Sequence, residues 1–214
     1  LVFTSRKFQI HSEEFDYRRY KFIGPSIIKR SQKNNIPFDK LKEKVIYISL
    51  GTLFNTSLNF FKNCLKAFKD IDMSIIMSIG KTVNIKDIGI IPKNFLVYQV
   101  VPQLEVLKRS DLFITHGGMN SVNEAIYYGV PLVTVPQFAD QPTVARRIEE
   151  LGLGKVINKK AVSAQTLLKA VKDVLCNPMY KDNMEKMRNG MVNCGGYIKG
   201  ANEIERYISE GNIK

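Results

Sequence analysis

Cysteine and histidine are scarce in this chain of 214 residues. The three cysteines, Cys64, Cys176 and Cys194, form no Cys-x-x-Cys pair, and their odd number gives no disulfide framework. They read as idle or buried thiols of a reducing compartment, so a cytoplasmic location is expected. His11 and His116 are the only histidines, too few for a zinc site built on imidazoles. No apolar run reaches the roughly 18–20 residues of a membrane span, and no secretory leader is visible. Blocks of about five or more like charges are also missing. The net charge of +12, from 32 Lys and Arg against 20 Asp and Glu, invites a nucleic-acid or membrane reading. The lysines are nevertheless spread along the chain, as at 40–44 and 155–160, and read as solvated faces. Neither a nucleic acid nor a membrane is expected as a partner, although a basic surface helps to attract an anionic nucleotide.

A hydrophobic content of 44% suffices for one full domain with a real core. The first residue is Leu, not Met, and Leu1-Val2-Phe3-Thr4 reads as the end of a strand already in progress, so the chain is expected to be a piece of something longer. Residues 1–25 read as a strand and a polar connection closing at Gly24-Pro25. Residues 26–44, rich in Lys, Asn and Ser and containing Pro37, read as a linker. From residue 45 the periodicity settles. Short apolar runs predict strands at 45–48, 74–80, 95–98, 112–115, 131–135 and 156–157. Helical spacing predicts helices at 57–70 with Ser57 as N-cap, 104–109, 121–128 ended by Gly129, 143–151, 163–176, 178–192 and 196–209. Buried strands alternating with helices predict an α/β domain, a Rossmann-like doubly wound parallel sheet of about six strands.

The polar residues that stand out fall at the ends of these strands. After the fourth strand come His116-Gly117-Gly118 and a helix start near Asn120-Ser121. The first N–H groups of a helix lack internal partners, and with the helix dipole they form a phosphate site. Two glycines let the backbone approach closely. Ser121-Val122-Asn123-Glu124 also fits a capping box, in which Glu124 bonds back to the helix start, and both readings stay open on this segment alone. After the third strand, Pro102 orients a turn that leaves the peptide groups of Val101 able to bond a base edge, with Gln103 beside it. Asp140-Gln141 follows the fifth strand, and the Gly51-Thr52 turn follows the first. Four polar clusters on one sheet edge suit a nucleotide sugar. A dinucleotide oxidoreductase is excluded, because the first turn reads Gly51-Thr52-Leu53-Phe54-Asn55 and not Gly-x-Gly-x-x-Gly.

The ordered set from Val101-Pro102-Gln103-Leu104 through Thr115-His116-Gly117-Gly118-Met119-Asn120-Ser121, Glu124, Tyr128-Gly129-Val130-Pro131 and Asp140-Gln141, with Ala145 to Gly154 following, resembles the donor-binding signature of the UDP-glycosyltransferase superfamily, most of all its bacterial macrolide-type members. The resemblance covers essentially the whole chain. It implies the C-terminal donor-binding half of a GT-B enzyme. Residues 1–25 would then be the end of the N-terminal acceptor domain and its linker, 26–44 further linker, 45–195 the donor domain and 196–214 a C-terminal helix. It further implies that Val101 holds the uracil and Gln103 the ribose side of the nucleoside. Thr52, His116, Gly118, Asn120 and Ser121 would hold the diphosphate, Glu124 the ribose hydroxyls, and Asp140 and Gln141 the sugar. Plant members stack a Trp on the base where Val100 stands, and this chain has no Trp, so thymidine stays open beside uridine.

The implied reaction is inverting transfer of a hexose, UDP-glucose being the expected donor, to a small-molecule hydroxyl acceptor. No cofactor or metal is expected, since His116 and the helix N-terminus would carry the leaving-group charge. The general base is expected in the N-terminal domain, and His11 is not assigned to that role. Two alternatives stand beside this reading: a non-catalytic donor-binding subunit of a split transferase, and a membrane-associated lipid-linked transferase.

Overall fold

The computed structural model describes residues 1–28, 36–51 and 57–211. Six strands form one parallel sheet: β1 (Val45–Ser49), β2 (Ser74–Ser78), β3 (Phe95–Tyr98), β4 (Leu112–Thr115), β5 (Leu132–Thr134) and β6 (Gly154–Val156). The helices are α1 (Leu58–Phe68), α2 (Gln103–Leu107), α3 (Met119–Tyr128), α4 (Gln141–Glu150), α5 (Ala164–Cys176), α6 (Pro178–Val192) and α7 (Gly196–Ser209). The spatial order β3-β2-β1-β4-β5-β6, parallel throughout, is that of a doubly wound nucleotide-binding sheet.

Both faces of this sheet are covered, and the strand periodicity sorts the side chains between them. Ile46 and Ile48 of β1 join Ile75, Met77, Leu112 and Ile114 under α1 and α5, where Phe61, Phe68, Leu167 and Val171 are buried. Val45, Tyr47, Phe113 and Leu132 point the other way, toward Val106, Val122, Ile126, Ile148 and the methionines Met184, Met187 and Met191 of α6. Continuous apolar runs without alternation are the expected sequence of strands buried on both faces.

Element boundaries depart from expectation where a glycine intervenes. β6 begins at Gly154 because its Cα packs on the chain of β5: a Cβ there would lie 2.0 Å from the Leu132 carbonyl oxygen. Helix α1 starts at Leu58 as expected, but the Ser57 side chain makes no capping bond. Leu1 to Thr4 is not a strand. It contributes a single parallel bridge between Val2 and Phe22, and the segment then docks on the domain through side chains. Phe8 enters the core beneath α3 and α6. Asn123 of α3 donates to the Phe3 carbonyl and accepts from the Thr4 hydroxyl, each at 2.9 Å, and Arg147 of α4 donates to the carbonyls of Lys7 and Phe8. Among the described residues no helix is long and apolar enough to cross a membrane.

Candidate functional site

Strand order reverses between β1 and β4, and in an open α/β sheet the crevice beyond the carboxyl ends at that point receives the ligand. A cleft of about 980 Å³ opens there. Its wall includes Ser49 and Gly51 after β1, Gly80 and Lys81 after β2, Val100 to Glu105 after β3, and His116 and Gly118 to Ser121 after β4.

The floor is the N-terminus of α3. The helix starts at Met119, two residues earlier than the sequence suggests, with Gly118 in extended conformation as N-cap. No side chain caps it, so the capping-box reading of Ser121 and Glu124 fails. Glu124 instead accepts a 2.5 Å hydrogen bond from Nε2 of Gln103, across the cleft wall. The N–H groups of Met119, Asn120 and Ser121 precede the first residue bonded within the turn, Val122, whose N–H reaches the Gly118 carbonyl. They are the orphan donors of the helix, aimed where its dipole favours an anion.

His116 stands beside this terminus. Its ring is held between two glycines: a Cβ on Gly118 would lie 2.5 Å from Nε2, and a Cβ on Gly51 would lie 2.7 Å from Cε1. Gly51 and Gly117 both have φ of +82°, the left-handed region in which side chains are strained. The Thr115 hydroxyl lies 3.3 Å from Nδ1. Burial lowers the pKa of His116, and the nearby Asp140 carboxylate opposes that shift. Burial thus favours the neutral imidazole near pH 7, and an anion beside it would draw a proton onto it.

Another part of the cleft wall is organised by β1, α2 and α3. Tyr47, buried in β1, donates from its hydroxyl to Oε1 of Gln103 at 3.0 Å. Nε2 of Gln103 then reaches Ser121 Oγ at 3.2 Å as well as Glu124. Neither the N–H nor the C=O of Val101, which lines the cleft, has a hydrogen-bond partner among the described residues. Val100, at 60% exposed, also lines the cleft.

The structure thus brings Val101, Gln103, His116, Gly118, Asn120, Ser121 and Glu124 to one cleft. Asp140 and Gln141 lie outside its wall. Asp140 is exposed at the start of α4, after Ala139 at φ +56°, and is close enough to His116 to act on its charge. Gln141 is buried, and its Oε1 accepts from the N–H groups of Gln137 and Phe138 at 2.9 and 3.3 Å, which leaves its amide nitrogen for any ligand. Thr52 lies outside the described residues. Tyr47 is one of several lining residues that sequence reading missed, because one Tyr in the run Val45-Ile46-Tyr47-Ile48 looks like plain core. The available signal was its hydroxyl, which needs a partner when buried. Among the described residues, the one group of His, Cys, Asp or Glu close enough to share a metal is His11, Glu13 and Glu14, all exposed and none lining the cleft.

Known proteins resemble this chain in sequence and fold. The family model described as UDP-glucoronosyl and UDP-glucosyl transferase matches residues 40–190. The chain is 43% identical over 211 residues to the uncharacterized UDP-glucosyltransferase YojK of Bacillus subtilis, covering 98% of this chain and 52% of that protein. It is 42% identical over 213 residues to the NDP-glycosyltransferase YjiC of the same organism, covering 54% of that protein. Among solved structures, the glycotransferase of kitacinnamycin aligns with a TM-score of 0.88 at 32% identity, over 96% of this chain and 53% of the other. The calicheamicin glycosyltransferase CalG4 aligns at 0.86 and 32%, over 97% and 51%. The chain spans about half the length of the relatives it matches. Its Rossmann-like sheet is that of the C-terminal half of GT-B glycosyltransferases, and the chain belongs to the UDP-glucuronosyl and UDP-glucosyl transferase family.

Proposed function

We propose that the cleft is the donor site of an inverting, UDP-hexose-dependent glycosyltransferase and that this chain is its donor-binding half. The observation that carries the reading is the uncapped N-terminus of α3, opening at the strand-order reversal beside His116. The diphosphate sits on the N–H groups of Met119, Asn120 and Ser121, with Gly118 allowing close approach and Thr52 contributing from the first turn. Val101 bonds the base edge, while Gln103 and Glu124 take the ribose. The hexose lies on the His116 side, toward Asp140 and the amide nitrogen of Gln141. UDP-glucose is the favoured donor, in keeping with the name UDP-glucosyltransferase borne by the relative YojK.

In the reaction the acceptor hydroxyl oxygen attacks the anomeric carbon as its bond to the diphosphate breaks. Negative charge grows on the departing β-phosphate. Preorganised N–H donors and an imidazole that takes up a proton stabilise that charge most where it develops. The proton of the acceptor hydroxyl goes to a base expected in an N-terminal acceptor domain, so the chain alone binds donor without turning it over. A cytoplasmic location fits this substrate.

Titration calorimetry with UDP and UDP-glucose tests the reading. Binding of both with a one-to-one stoichiometry is expected, and UMP, which lacks the β-phosphate, should bind more weakly. No heat at millimolar UDP would remove the donor-site assignment.

A further inference from the structure

We infer that Tyr47 is a positioning residue for donor recognition: its hydroxyl fixes the Gln103 carboxamide so that Gln103 holds Glu124 in place for the ribose, which tunes the preference for ribo- over 2′-deoxyribonucleotides. The inference rests on the donor-site reading above and adds to it the residue that sets this selectivity.

The chemistry of the three groups allows one arrangement. A carboxylate only accepts hydrogen bonds, so the half of the Gln103 amide that faces Glu124 must be its NH2. The 2.5 Å contact between Gln103 Nε2 and Glu124 Oε2 has that sense. The amide oxygen must then face the other way, and the group it meets is the Tyr47 hydroxyl at 3.0 Å. A phenol can donate there. Burial raises the Tyr47 pKa, so the proton stays on the oxygen around neutral pH. The ring cannot swing off, because it is 1% exposed and stacks on Phe113 with centroids 4.5 Å apart and planes 11° apart. A rigid donor on the sheet therefore sets the amide of α2, and the amide sets the carboxylate of α3. Without the hydroxyl the amide oxygen loses its partner and Gln103 is held only from its NH2 side, by Glu124 and Ser121, so the carboxylate is less firmly placed. A carboxylate can accept from several hydroxyls at once, so its placement decides how well a two-hydroxyl ribose is told from a one-hydroxyl one.

This chain of contacts meets the diphosphate site only at Ser121, whose Oγ receives Gln103 Nε2; both ligands carry the same diphosphate, so the ratio of their affinities is the selective readout. Affinities for UDP and 2′-deoxy-UDP are measured by calorimetry for the unaltered chain, for Tyr47→Phe and for Gln103→Met, with thermal melting in parallel. The unaltered chain should prefer UDP. Tyr47→Phe should lower that preference about fivefold, the worth of one net hydrogen bond, with 2′-deoxy-UDP affinity unchanged. Gln103→Met removes a residue that itself meets the ribose, so it should weaken both ligands and lower the preference at least as far, and the double variant should be no worse than Gln103→Met alone, as for residues acting in series. If Tyr47→Phe keeps the full preference, or weakens both ligands equally, the inference is overturned while UDP binding still supports the donor site. Absence of UDP binding by the unaltered chain would overturn the donor site itself and the inference with it.

Discussion

The Cα of Gly118 lies flat against the imidazole of His116, so close that a Cβ on Gly118 would stand 2.5 Å from Nε2. Gly118 has an ordinary extended backbone, so the requirement for glycine here is one of space and not of strain. Gly118→Ala should push the imidazole from its slot and cover the approach to the first N–H groups of α3. UDP affinity is expected to fall roughly tenfold or more, the loss of one charge-assisted hydrogen bond, with the melting temperature little changed. Calorimetry beside thermal melting separates the two effects, and retained affinity would mean that the phosphate lies elsewhere.

Removing the imidazole tests the same wall from the other side. His116→Ala should weaken UDP binding by about tenfold to a hundredfold, the range for a hydrogen bond to a charged group, and leave the far-ultraviolet circular dichroism intact. An affinity equal to that of the unaltered chain would remove His116 from the phosphate role.

Burial lowers the pKa of His116, which fixes the sign of two pH effects. The unfolded chain binds the proton more readily, so this residue costs stability as pH falls below about 6.5, the ordinary imidazole value. His116→Gln should flatten that part of the stability–pH curve. UDP has the opposite influence: its charge favours the imidazolium, so binding should draw protons in near neutral pH. Calorimetry in buffers of different ionisation enthalpy should show uptake for the unaltered chain and less for His116→Gln, with the titration of UDP common to both. Equal uptake in the two proteins would place the titrating group elsewhere.

Asn123 is 2% exposed and ties α3 to Phe3 and Thr4. Asn123→Ala should remove both bonds and leave the Thr4 hydroxyl buried without its acceptor, at a cost of about 2 kcal/mol and roughly 4–8 °C in melting temperature. Limited proteolysis should then cut within the first 25 residues sooner than in the unaltered chain. Unchanged melting and cleavage would show that the segment docks by other means.

Strands β1 to β5 were legible as apolar runs of the right length because a sheet buried on both faces demands nothing else of its residues. Helix α3 was harder. The sequence offers Ser121 and Glu124 as a plausible cap, and only tertiary structure reveals that Gln103 claims Glu124 and that Gly118 begins the helix. The cleft residues contributed by the turns after β3 and β4 were legible because turns at strand ends have few structural reasons to be so polar. Tyr47 was not, since its hydroxyl meets Gln103 across 56 positions of sequence. The exposed placement of Asp140 and the internal bonds of Gln141 also depend on a loop conformation that no spacing rule encodes.

The central claim is that the open N-terminus of α3 carries the diphosphate of an activated sugar. A crystal structure of the chain soaked with UDP-glucose measures this directly. The account predicts phosphate oxygens within about 3 Å, hydrogen-bonding distance, of the N–H groups of Met119 to Ser121, with His116 beside them and the hexose toward Asp140. A diphosphate bound elsewhere in the cleft, with these N–H groups facing water, would contradict it.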